Sequence, residues 1–211
     1  VRIVGIDLSL TGTGLAELMA DPYHGLVNWS AKTKVVTSQP PKESSLENDF
    51  HRQTAITVPV LAWALGTETL MDNGFEYPDR ADLVVIEALF NSKTNAGMLI
   101  ERAGLWWRIV GSLICYGIPV VVANQSQAKK FFTGNGGSDK AAVAMAAARL
   151  YPQWTPSTVK NTNDEADGLS HASIGACLLA DVAEWPVPET DYRHKIVDDL
   201  SKKQLRREKA A

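Results

Sequence analysis

Cysteine is scarce: only Cys115 and Cys177 occur in 211 residues. Each lies in an apolar run, and two such residues make neither a disulfide framework nor a zinc-binding spacing, so both are expected to be buried free thiols. Long apolar runs are also lacking. The longest, IVGSLICYGIPVVVA at 109–123, is short for a bilayer span and is broken by Gly117 and Pro119. The first residues carry no basic leader and no cleavage signal, so the expectation is a soluble, cytoplasmic protein with no membrane partner. Charge of one sign is missing as well. With 21 Lys/Arg against 24 Asp/Glu the net charge is -3, and the overall balance does not advertise nucleic acid. The imbalance is local: residues 191–211 carry seven bases and four acids, a net of +3, which leaves -6 for the rest. No internal repeat or low-complexity segment occurs. No GxxxxGK[ST] phosphate loop is present, and SLTGTG is not a nucleophile elbow, so neither a nucleotide cofactor nor a serine nucleophile is expected.

What the chain does have is a sequence of strands and helices. RIVGID (2–7) is a β-rich run, TGTG supplies a turn tolerant of positive φ, and LAEL resumes as the second arm of a hairpin. KTKVVTS (32–38) reads as a third strand. A helix begins near Ser44 or Ser45 and runs to about Asn73, bent or divided by Pro59. ADLVVIEAL (81–89) and PVVVAN (119–124) read as buried strands. Between them, 94–116 forms a long helix. A short helix at SQAKKFF follows, then a glycine loop, and then an alanine-rich helix with Ser138 as N-cap. Residues 164–185 form the last core helix. Early hairpins and later βαβ units imply an α/β fold with a mixed five-stranded sheet flanked by helices. The boundary falls at Pro186, giving a domain at 1–185 and a basic C-terminal tail at 186–211.

Four carboxylates stand at telling places. Asp7 and Glu87 each end an apolar strand, where sites form in α/β sheets. Asp164 and Asp167 share one helix face near a helix start. Asp7 also suits a turn and Asp164 an N-cap. Glu87 inside VVIEAL, and Asp167 among Ala166, Leu169 and Ala172, are harder to place as ordinary surface acids, since a buried charge is costly without a partner. Acids clustered without nearby bases are what a divalent cation requires, and two ions about 4 Å apart clamp a phosphodiester undergoing hydrolysis. The residues themselves thus point to a metal-dependent nuclease.

Four segments, GIDLSLTGTGLA, VVIEALFNSKTNA, QAKKFFTGNGGSDKAAV and NDEADGLSHA, resemble in order the motifs of the RuvC-type Holliday junction resolvases, in particular phage-borne members. The resemblance implies a ribonuclease H-like fold and a homodimer that cuts opposed strands of four-way or other branched DNA, in a bacterial host cell if phage-encoded. It implies Mg²⁺ or Mn²⁺, two per active site, held by Asp7, Glu87, Asp164 and Asp167, with Lys140 assisting catalysis. It further implies DNA contacts at Phe90, Asn91, Ser92, Lys93, Lys129, Lys130 and Lys140, Phe90 serving as a wedge, and direct hydrolysis that leaves 5′-phosphates. The chain departs from the family with Leu8-Ser9 in place of Pro-Gly, and Glu165 puts a second acid beside Asp164, leaving the ligand of that pair open.

Other features admit two readings each. Gly97, Gly104 and Gly111 recur every seven residues on the long helix and suit either sheet packing or a dimer seam; of Trp106 and Trp107, one is expected to meet the core and the other a partner or a neighbouring helix. His171, one turn after Asp167, suits a core or supporting role better than a ligand. The tail can form an amphipathic helix through Ile196, Val197, Leu200 and Leu205, and suits a solvated end or a DNA-gripping arm. Three rival functions stay open: a fork or flap nuclease of the same fold, a non-catalytic DNA-binding module, and a fragment of the actin-like ATPase and sugar kinase superfamily, whose phosphate loop GIDLSLTGTG also resembles.

Overall fold

The computed structural model describes residues 1–23, 26–43, 45–67, 77–89, 96–181 and 184–205. The central sheet has strands β1 (Arg2–Asp7), β2 (Gly12–Tyr23), β3 (Leu26–Thr37), β4 (Leu83–Glu87) and β5 (Val120–Ala123), in the order β3-β2-β1-β4-β5. β1 runs antiparallel to β2 and parallel to β4, and β4 runs parallel to β5. The short β1–β2 connection permits a hairpin, whereas the β4–β5 step requires a helical crossover.

Alternation along β1 and β4 divides the core. Val4, Ile6, Val84 and Ile86 face α1 (Leu46–Leu65) and α2 (Ala96–Cys115). Ile3, Leu83 and Val85 face α5 (Thr162–Leu179), with α3 (Gln125–Thr133) and α4 (Lys140–Leu150) beside it. Both strands are buried on both faces, which is why they read as unbroken apolar runs.

The structure corrects several local expectations. α1 is one continuous helix with Pro59 inside it, capped by Ser45 and stopped at Gly66, whose φ of 69° closes the C-terminus. β3 starts at Leu26, six residues before its predicted start. Asp139, not Ser138, caps α4 by accepting from the Ala142 N–H at 2.8 Å. Cys115 is exposed, and Cys177 alone is buried. Gly12 and Gly14 take no positive φ. They are small because α5 lies against them: a Cβ on Gly14 would fall 1.9 Å from the Asp164 carbonyl oxygen, and one on Gly5 would fall 2.2 Å from that of Gly168. The hairpin turn is instead built by Ser9 and Thr13, which exchange hydrogen bonds of 3.2 and 2.7 Å.

Beyond Pro186, α6 (Asp191–Leu200) buries Arg193, Ile196 and Leu200 against the α5 side of the core. A π-helical turn (Ser201–Leu205) follows. There the Gln204 amide accepts from Val122 N–H at 2.8 Å and donates to Val122 C=O at 2.7 Å, completing the outer edge of β5.

Candidate active site

Parallel pairing sets the floor of the site. Ile6 lies opposite Ile86, so Asp7 and Glu87, the next residue on each strand, emerge side by side at the carboxyl ends. Odd-numbered positions on both strands face α5. The close approach permitted by Gly5 and Gly14 then brings the first turns of α5, with Asp164 and Asp167, over the same strand ends.

These acids are buried and mutually repulsive. Burial raises the Glu87 carboxyl well above the usual carboxylate range, and the Asp7 carboxyl beside it adds to this as hydrogen-bond partner and as like charge; Arg102 opposes and Asp167 adds. Asp167 is pushed up to about 7, first by burial and then by Asp7, against the pull of Lys140 and Lys129. Such neighbouring acids give up their protons as a set rather than singly. One cation already stands among them. Lys140 Nζ lies 2.9 Å from Asp164 Oδ1 and 3.9 Å from Asp167 Oδ2, and the field of Asp7 also reaches it.

The donor set suits a hard divalent ion. It is all carboxylate oxygen, and Asp167 Oδ2 is buried with no hydrogen-bond partner. Among the described residues no three Asp, Glu, His or Cys side chains are gathered as they stand to hold a metal ion. The Lys140 ammonium lies between Asp164 and Asp167.

Glu165 points elsewhere. It is fully buried and accepts from Thr33 Oγ1 and Ser157 Oγ, and from Ser157 N–H at 3.0 Å. Trp154 Nε1 donates to the same Thr33 hydroxyl at 2.8 Å. Of the adjacent acids, Asp164 therefore faces the cluster and Glu165 ties the 157 loop to β3. His171 is buried, Nδ1 lies 2.9 Å from the Asp167 carbonyl oxygen, and burial lowers its pKa, so the ring is neutral near pH 7. Lys129 lies near enough to act on Asp167, and Lys130 is exposed. Phe90, Asn91, Ser92 and Lys93 lie outside the described residues.

Two neighbours of Glu87 were not visible as such in the sequence. On α2, Arg102 carries the positive charge closest in effect to Glu87, and Trp106 Nε1 donates to the Glu87 carbonyl at 2.9 Å. Their four-residue spacing puts them on one helix face, but nothing local to either marks which strand end that face meets.

No protein-family model matches the chain, and no curated protein does. Among solved structures, Thermus thermophilus RuvC is 21% identical, with a TM-score of 0.53 over 82% of this chain and 93% of that one. T. thermophilus RuvC in complex with Holliday junction substrate gives 20% identity and a TM-score of 0.55 over 81% and 92%. A Fowlpox virus resolvase in complex with substrate Holliday junction DNA covers 82% and 94% at 13% identity, with a TM-score of 0.45. At these identities the likeness concerns architecture: the chain has the α/β, ribonuclease H-like fold of RuvC.

Proposed function

We propose that this chain is a divalent-metal-dependent endonuclease that resolves four-way DNA junctions as a homodimer by paired phosphodiester hydrolysis. The observation that carries the reading is the convergence of Asp7, Glu87, Asp164 and Asp167 from three separate elements, two of them with raised carboxyl pKa values and with the Lys140 ammonium set against Asp164. Buried like charges of this kind cost stability unless a ligand offsets them.

In this reading Asp7 and Glu87 from the strand ends, with Asp164 and Asp167 from the helix, would hold Mg²⁺ or Mn²⁺, two per site, which when bound would supply an activated water and neutralise charge on the scissile phosphate. Lys140 gives up its acids and neutralises charge on the phosphoryl oxygens, the role of a preorganised cation. Lys129 and Lys130 contact the DNA backbone. Phe90 wedges into the junction, and Asn91, Ser92 and Lys93 touch phosphate. The oxygen of water bonds to phosphorus as the P–O3′ bond breaks, and the 3′-oxygen takes up a proton, leaving a 3′-hydroxyl and a 5′-phosphate.

One acid cluster per chain cuts one strand, so paired incision calls for a second copy. α2 offers a self-complementary face for it. Ile100, Gly104, Trp107, Gly111 and Ile114 alternate at spacings of four and three, the seam of a helix pair. Among the described residues Ile100, Trp107 and Ile114 are 74%, 64% and 61% exposed, and a Cβ on Gly111 would meet nothing within 4 Å.

Cleavage of labelled four-way, three-way, flap and linear DNAs in Mg²⁺ tests the reading. Symmetric nicks in the four-way substrate, lost in Asp7→Asn and Glu87→Gln, are expected. Preference for forks or flaps would retain the chemistry and move the substrate. Binding without cutting would indicate a DNA-binding module, and ATP binding a member of the actin-like superfamily.

A further inference from the structure

The surface that a second copy would cover and the acid that a cation would bind are joined through two side chains. Trp107, on the exposed stripe of α2, packs edge to face on Trp106 with ring centroids 4.9 Å apart and planes at 88°. Trp106 is partly buried on the α2 side of the core, and its Nε1 donates at 2.9 Å to the Glu87 carbonyl at the end of β4. One helical turn earlier, Arg102 acts on the Glu87 carboxylate and lines the same crevice as Glu87 and Trp106.

We propose that the Trp106–Trp107 pair is a positioning device that couples pairing of two copies to the geometry of Glu87. In the isolated chain Trp107 is held from one side only. A second copy packed on the stripe confines Trp107, which confines Trp106 and thereby the carbonyl that fixes the end of β4. The Trp106–Glu87 bond already exists in one copy, and a partner confines it further, so Glu87 is better preorganised for the cation in the pair and a lone copy is the weaker nuclease. Unpaired nicking of a junction is suppressed as a consequence. The coupling is reciprocal, so divalent cation must also tighten the dimer. This inference rests on the metal-dependent, homodimeric reading above.

The test uses the full chain, with Mn²⁺ as probe. Free Mn²⁺ is followed by electron paramagnetic resonance, and association by sedimentation. Ile114→Glu places a charge on the stripe away from the tryptophan pair, at an exposed position where the fold tolerates it. It is expected to be monomeric and to bind Mn²⁺ about tenfold more weakly, the lower end of what loss of a group supporting a metal ligand costs. Trp106→Phe keeps a ring and removes the donor. It is expected to remain dimeric, to bind Mn²⁺ about tenfold more weakly, and to gain no further loss when combined with Ile114→Glu. Sedimentation of the wild type with and without Mn²⁺ is expected to give a tighter dimer with the ion, and no such shift in Trp106→Phe. A monomeric Ile114→Glu with wild-type Mn²⁺ affinity would overturn the coupling and leave the nuclease reading standing. Wild-type Mn²⁺ binding no tighter than that of Asp7→Asn would overturn the metal reading, and a wild type monomeric throughout would overturn the dimer; either removes the coupling too.

Discussion

Strand β1 carries a buried charge cluster at each end, and the two are built on opposite terms. At its start Arg2 meets Glu17, with Nη2 at 2.5 Å and Nε at 2.7 Å from Oε2, and donates to the carbonyls of Ala64 and Trp63 at 3.0 and 2.6 Å. Charges balance, and the guanidinium also satisfies carbonyls at the C-terminus of α1. At its end Asp7 meets Glu87 and Asp167, with acids in excess and an orphaned Asp167 oxygen. Burial is equal at the two ends, with Arg2 8%, Glu17 7%, Asp7 9% and Glu87 7% exposed. What separates a structural clamp from a candidate site is therefore satisfaction, not depth.

Breaking the balanced end should cost the most in stability. Arg2→Ala leaves Glu17 buried with, among the described residues, only the exposed Lys32 at 3.9 Å as a cationic partner, and a loss of about 3–5 kcal/mol is expected in denaturant unfolding. Breaking the unbalanced end should do the reverse. Asp7→Asn or Glu87→Gln should lower junction cleavage by roughly 10²–10³-fold or more, while the metal-free protein unfolds no more easily than wild type, because neither change adds a charge to the buried cluster. An intermediate case sharpens the contrast. Glu165→Gln loses charge-assisted bonds to Thr33 and Ser157 and should cost about 1.5–3 kcal/mol, with Mn²⁺ affinity unchanged.

The remaining effect is on pH. Asp167 ionises at about 7 when folded, well above the 3.8 of an ordinary aspartate. The folded chain therefore holds an extra proton between those values. The stability this contributes is full below the lower value and is lost as pH rises through the upper one. Melting of the metal-free protein should fall across that window, at about 2–4 °C per kcal/mol for a chain of this size. Added Mn²⁺ should raise Tm more at pH 8 than at pH 5.5.

The end of β1 was legible in sequence because its signal is local. An apolar strand that stops on an acid is unusual twice over, and Asp7 and Glu87 both do it. Parallel pairing of the two strands then follows from the βαβ pattern. Asp164 and Asp167 were legible from helical spacing, but choosing between Asp164 and Glu165 needed β3 and the 157 loop, which contact the helix from 132 and 8 residues away. The glycines of TGTG were read for their backbone freedom. Their actual role, admitting α5, depends on a helix about 150 residues later. Arg102 and Trp106 were missed for the same reason, since their partner lies 15 and 19 residues earlier across a crossover whose path the sequence does not reveal. The helix at 191–200 was legible from the spacing of Ile196, Val197 and Leu200, but the face it packs on was not: it buries Ile196 and Leu200 against the core instead of leaving a solvated end.

The most direct measurement is anomalous diffraction from a crystal soaked in Mn²⁺. The account expects ion density bounded by the carboxylates of Asp7, Glu87, Asp164 and Asp167, with Lys140 drawn away from Asp164. Density absent there, or found only at surface acids with Lys140 still paired to Asp164, would contradict it.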